Sequence, residues 1–148
     1  MINPAPALLT LSNVSKRYGS VQANKDIDLE VHAGSIHAVL GENGAGKSTL
    51  MKLIYGVEEP DTGQVLWNGS PVALSRPSDA QKLGIGMVFQ HFSLFETLSV
   101  VQNVSLMIPG SQADLSSRIR DLGEEFGLTV DPAAMVHRLS VGERQRVE

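Results

Sequence analysis

The stretch Gly41-Glu42-Asn43-Gly44-Ala45-Gly46-Lys47-Ser48-Thr49 decides how this chain is read. It satisfies G-x-x-x-x-G-K-[ST], with Gly41 and Gly46 framing a loop that Lys47 and Ser48 close. Ile36-His37-Ala38-Val39-Leu40 precedes it and reads as a buried strand. Thr49-Leu50-Met51-Lys52-Leu53-Ile54-Tyr55 follows and reads as a helix, with Leu50, Leu53 and Ile54 at helical spacing. Strand, glycine loop and helix start thus stand in the order needed to hold a phosphate chain. Glycines let successive N–H groups turn inward, and a helix start adds roughly half a positive charge. In such a loop Lys47 would reach the β- and γ-phosphates, and the Ser48 hydroxyl would hold Mg²⁺.

Composition narrows the class. The 148 residues carry a net charge of −4, which argues against a nucleic-acid or anionic-membrane surface. No apolar run approaches the ~20 residues that cross a bilayer. Met1-Ile2-Asn3-Pro4-Ala5-Pro6 lacks the positive start and long apolar core of a signal peptide. There is no cysteine, so disulfides, thiolate catalysis and cysteine-based zinc sites are excluded. His32, His37, His91 and His137 show no metal-ligand spacing.

Outward from the loop, Leu8-Leu9-Thr10-Leu11 and Ile27-Asp28-Leu29-Glu30-Val31 alternate as half-buried strands joined near Tyr18-Gly19-Ser20. Pro60-Asp61-Thr62-Gly63 reads as a turn and Gln64-Val65-Leu66-Trp67 as a strand, with Trp67 a packing residue. Asn68-Gly69 is a hairpin-turn signal. Ser75-Arg76-Pro77 enters a helix that stops at Gly84, and Met87-Val88-Phe89 is a short apolar strand ending at Gln90. Beyond it the pattern is helical. Ser99-x-x-Gln102 forms a capping box. Leu115, Ile119, Leu122 and Phe126 make an apolar stripe ended by Gly127. Asp131-Pro132 resembles a helix cap followed by proline at the first helical position. Finally, Leu139-Ser140-Val141-Gly142-Glu143 contains a second capping box, Ser140-x-x-Glu143.

Taken together and in this order, these pieces closely resemble the nucleotide-binding domain of ATP-binding cassette (ABC) transporters, from about Leu8 to Glu148. The resemblance implies an α/β fold: a P-loop NTPase core, an amino-terminal antiparallel β part and a helical subdomain. It makes residues 1–90 the β-rich, P-loop part of one cassette and residues 90–148 its Q-loop and helical subdomain. It makes Tyr18 the aromatic residue that stacks on adenine, with Ala23 near the same base. Gly41, Glu42, Asn43, Gly44, Ala45, Gly46, Lys47, Ser48 and Thr49 become the Walker A loop. Gln90 becomes the Q-loop glutamine that reaches Mg²⁺ and the attacking water, so that Lys47 and Gln90 are the catalytic candidates. Leu139, Ser140, Val141, Gly142 and Glu143 match the signature that completes the ATP site of a second cassette. Val141 and Glu143 depart from the commonest Leu-Ser-Gly-Gly-Gln form, whereas Ser140 and Gly142 keep it.

The Leu-Ser-Val-Gly form followed by Arg-Gln-Arg-Val-Glu looks like the first cassette of importers for simple sugars and nucleosides. The implied partners are transmembrane permease subunits, a second cassette and, indirectly, a substrate-binding protein, with no nucleic acid. The implied cofactors are ATP and Mg²⁺, and the implied place is the cytoplasmic face of the membrane. Residues 91–104 read either as a core-covering loop or as part of the groove for a membrane subunit's coupling helix. In the family, a Walker B strand with its aspartate and glutamate follows the signature and lies, with the strand after it, between the strands here numbered 36–40 and 87–89. These 148 residues therefore read as the front of a longer protein, with that half of the sheet absent and steady hydrolysis not expected of them alone. Two further classes stay open: a non-transport ABC-type ATPase, and a nucleotide-binding module without turnover.

Overall fold

The computed structural model describes residues 7–89 and 93–148. They form two compact units, the first ending at Met87 and the second spanning Val88–Glu148. Gln90, the expected Q-loop residue, lies outside the described residues together with His91 and Phe92.

Four antiparallel strands build the first unit: β1 (Leu9–Tyr18), β2 (Val21–Val31), β3 (Thr62–Trp67) and β4 (Ser70–Val72), in the order β2-β1-β3-β4. Leu9 pairs with Val31 on one side and Trp67 on the other, so β1 is an inner strand along its first half. Alternation along β1 sends Leu9 and Leu11 to the buried face. Irregular pairing after Leu11 lets Val14 follow them, at 0% exposure. The β3–β4 hairpin turns at Asn68 (φ 49°) and Gly69 (φ 76°). Two successive left-handed residues are what a twisted two-residue hairpin requires.

Helix α1 (Lys47–Tyr55) presents Leu50, Leu53 and Tyr55 to this sheet. They join Leu9, Leu11, Val14, Val65, Leu74 and Ala80 in one core, with Trp67 packed against it. Helix α2 (Pro77–Lys82) starts with proline at its first position and contributes the fully buried Ala80.

The second unit holds α3 (Val100–Met107), α4 (Gln112–Phe126), a single 3₁₀ turn (Val136–Arg138) and α5 (Val141–Val147). Ser99 and Gln102 form the expected capping box, and Ser111 caps α4. Val100, Val136 and Leu139 form its core, with Ile119, Val130 and Val147 packed around them. Asn103 stitches the preceding loop to α3. Its Oδ1 accepts from the Phe95 N–H at 2.8 Å, and its Nδ2 donates to the carbonyls of Phe95 and Ser99 at 3.1 and 3.0 Å.

Three expectations need correction. Residues 36–40 form no strand, and Ile36 and Leu40 are exposed. Residues 87–89 form no strand either, with Val88 exposed. Both segments have the composition of inner parallel strands, which depend on neighbours on each side; neither belongs to the sheet formed by the described residues. Asp131-Pro132 starts a turn instead of a helix, because the Asp131 carboxylate accepts from the Ala133 N–H at 3.0 Å and closes the chain on itself. The α4 stripe is helical as expected, yet only Leu115 is fully buried, while Leu122 and Phe126 stay exposed.

Leu53 is fully buried at the centre of the first core. A Leu53→Ala change should lower unfolding stability by about 2–5 kcal/mol, read from a denaturant midpoint at unchanged slope. A midpoint equal to that of the unsubstituted chain would contradict this packing.

Candidate functional site

The phosphate-loop residues are brought together in the first unit. Residues 41–45 are exposed, and Gly46 caps α1 with φ 87°. A side chain at Gly46 is excluded twice. The left-handed backbone disfavours it, and an added Cβ would stand 2.1 Å from the Ala23 carbonyl oxygen. This contact lays the end of the loop directly on β2. The Gly46 carbonyl accepts the first helical bond from the Leu50 N–H at 2.9 Å. It also accepts from the Asn24 carboxamide Nδ2 at 3.3 Å.

Lys47, the first residue of α1, folds back over the loop. Its Nζ donates to the carbonyls of Gly41 at 2.7 Å and Glu42 at 2.6 Å. The ammonium group therefore closes the loop across its mouth, beside the positive end of α1. Ser48 is exposed in the first helical turn, and Thr49 is half-buried. Together these residues can do one thing well: surround an anion with backbone N–H groups, a helix start and one cation. The donor set fits a nucleotide's phosphate chain, and the accessible Ser48 hydroxyl fits a phosphate-bound Mg²⁺.

Tyr18 ends β1 and pairs with Val21, the first residue of β2. Its ring is partly exposed, and Lys16 Nζ stands 5.6 Å from the ring centre. Ala23, two residues along from Val21, touches Gly46 through its carbonyl. The β1–β2 hairpin thus links the expected base-stacking residue to the phosphate loop.

The signature residues lie in the second unit. Leu139 is buried in that unit's core, whereas Val141 is exposed and Gly142 has open space around it. Ser140 caps α5: its hydroxyl accepts from the Glu143 N–H at 3.3 Å. The Glu143 carboxylate in turn accepts from the Ser140 N–H at 2.8 Å and hydroxyl at 2.7 Å. The hydrogen bonds from the Ser140 hydroxyl and N–H, helped by Arg146, hold the Glu143 carboxyl below its ordinary 4.5.

Sequence reading missed the residues that brace this segment. Arg144 binds the Glu96 carboxylate at 2.6 Å, the Leu139 carbonyl at 3.2 Å and the His137 carbonyl at 3.4 Å. It fixes the segment just before α5 from three directions, as a planar guanidinium can. Nothing in the spacing of Glu96 and Arg144 announces the pair. Asn24 was missed too, because alternation from Ile27, Leu29 and Val31 puts it on the outer face and only the irregular pairing at Asp26 (φ 47°) turns it inward. It is 6% exposed, and its Oδ1 is buried with no hydrogen-bond partner among the described residues, a situation that costs about 1–3 kcal/mol.

With this geometry in place, the comparisons with known proteins are direct. Residues 24–148 match the ABC transporter family, and the chain belongs to that family. It is 44% identical over 147 residues to the nucleoside import ATP-binding protein NupA of Lactococcus lactis, across 95% of this chain and 29% of that protein. It is 39% identical to the guanosine import ATP-binding protein NupO of Bacillus subtilis, and 38% identical to the ribose import ATP-binding protein RbsA of a Ruegeria species. Each of these matches spans 95% of this chain and 29% of the relative. The chain thus spans under a third of the length of the relatives it matches. Among solved structures it superposes on cbiO1 of Clostridium perfringens, part of the ABC transporter complex cbiONQ, with a TM-score of 0.75 and 30% identity. That match covers 96% of this chain and 59% of cbiO1. A nucleotide-free ATP-binding cassette from an ABC transporter, at 21% identity and a TM-score of 0.77, shares the fold.

The Glu143 carboxyl has a lowered folded pKa, so the stability it adds is present above pH 4.5 and lost as pH falls through its folded value. A Glu143→Gln variant keeps the neutral part of the capping box. Its thermal midpoint should vary less with pH in the acid range, below 4.5, than that of the unsubstituted chain. Identical acid limbs for the two proteins would show that the carboxylate does not stabilise this helix start.

Proposed function

We propose that this chain carries the ATP-binding residues of the ATP-driven subunit of an importer for a nucleoside or a simple sugar. The observation that carries the reading is the loop at residues 41–49, exposed over 41–45 and closed by Lys47 at the start of α1. The nucleoside and ribose importers among its relatives support the substrate class, with the highest of the quoted identities to a nucleoside importer.

On this reading Gly41, Glu42, Asn43, Gly44, Ala45 and Gly46 wrap the phosphates, and Lys47 neutralises the β- and γ-phosphates. Ser48 meets Mg²⁺, which supplies charge neutralisation for phosphoryl transfer when bound. Tyr18 stacks on the base beside Ala23. Residues 1–90 form the β-rich, P-loop part of one cassette, and residues 90–148 its Q-loop and helical part. Gln90 couples the site to the membrane partner. Ser140 and Gly142, with Leu139, Val141 and Glu143 around them, meet the nucleotide of a second cassette. The permease subunits sit in the membrane, and this chain works at their cytoplasmic face; no helix among the described residues is long and apolar enough to cross a bilayer.

A Lys47→Ala substitution removes the side-chain cation that spans the loop. In the complete importer it should lower ATP turnover by about 10²–10³ and abolish uptake of labelled nucleoside or sugar. Uptake at normal speed by that variant would refute the assignment.

A further inference from the structure

Asn24 is a buried polar side chain that the reading above leaves without a role. It lies on β2, 6% exposed, opposite Lys16 on β1. Its Nδ2 donates to the Gly46 carbonyl, while its Oδ1 has no partner among the described residues. Reversing the carboxamide would set two oxygens against each other, so the donor is correctly assigned to the Gly46 side. The backbone beneath it is pinned as well, since Gln22 Nε2 donates to the Asn24 carbonyl at 2.6 Å. The side chain is therefore a short, fixed arm from the sheet to the last peptide of the phosphate loop.

A leucine has the same branched outline, with more bulk, and would place no unpaired acceptor here. Packing alone does not account for an amide here. What the amide adds is one donor, aimed at the carbonyl of Gly46. The Gly46–Lys47 peptide is rigid and planar. Fixing its carbonyl therefore fixes the direction of the Lys47 N–H on the other edge, one of the first donors of α1 with no helical partner of its own.

We infer that Asn24 is a positioning residue for the bound nucleotide: it orients the Gly46–Lys47 peptide so that the start of α1 faces the phosphate chain. The inference rests on the reading of residues 41–49 as the nucleotide site. It adds a residue from β2 to the phosphate-holding part of the site, otherwise made of loop and helix.

The test is binding of a fluorescent methylanthraniloyl-ADP to the full chain, with thermal midpoints measured alongside. Asn24→Leu should bind about tenfold more weakly per folded molecule, whatever the change in its midpoint. Asn24→Asp supplies a donor only while its buried carboxyl is protonated. Its affinity relative to the unsubstituted chain at the same pH should therefore approach unity in acid and fall as pH rises. Unchanged affinity in Asn24→Leu, or an Asn24→Asp ratio that is flat with pH, would overturn the role of Asn24 while leaving the loop's reading intact. A lower midpoint with unchanged affinity per folded molecule would do the same, by making the residue merely structural. No binding by the unsubstituted chain would instead refute the nucleotide site itself, and this inference with it.

Discussion

The backbone of Gly46 pressed against the carbonyl of Ala23 is the contact on which the first unit depends. It sets where the glycine loop ends and where α1 begins. From there the helix can run over the sheet with Leu50 and Leu53 facing Leu9, Leu11 and Val65. Because no side chain fits at Gly46, two backbones approach as closely as van der Waals radii allow. Loop position, helix direction and core packing are thus consequences of one residue lacking a Cβ. The Lys47 ammonium finishes the arrangement by gathering the carbonyls of Gly41 and Glu42, leaving the outer face of the loop open.

The second unit is organised around polar attachments of chain segments more than around a large core. Asn103 secures the loop before α3, and Arg144 ties Glu96 to the segment that leads into α5. The result is a helix start whose first turn is open to solvent while the residue just before its cap, Leu139, is rooted in the core. Exposure of Val141 and Gly142 follows from that anchoring, and such an arrangement suits a surface meant to meet something else.

How much of this was legible depended on how local each signal is. The Asn68-Gly69 hairpin, both capping boxes, the Pro77 helix start and the Gly127 stop are fixed by residues within four positions of one another, and all stand where the sequence puts them. Residues 36–40 and 87–89 fail as strands because an inner parallel strand is defined by its neighbours, not by its own composition. Asp131-Pro132 misleads because a carboxylate two residues before an N–H closes a turn as readily as it caps a helix. The candidate stretches 41–49, in the first unit, and 139–143, in the second, are contiguous, so the sequence marks each of them by its own pattern. Their braces carry no such mark: Glu96 and Arg144 are 48 residues apart, and Asn24 and Gly46 are 22 apart.

The sheet order β2-β1-β3-β4 sets a schedule for the growing chain. The β1–β2 hairpin can form as soon as its own residues have left the ribosome, since its partners are near in sequence. Leu9 and Trp67, however, are paired across more than fifty residues, and the glycine loop and α1 lie inside the segment that this pairing closes. β1 and β2 already offer them part of a floor, through Leu9, Leu11, Val14 and Ala23, and Val65 completes it only when β3 arrives. During synthesis the phosphate loop therefore emerges onto a hairpin that can already hold its last residue, while the helix behind it waits for a strand made later to close the core beside β1.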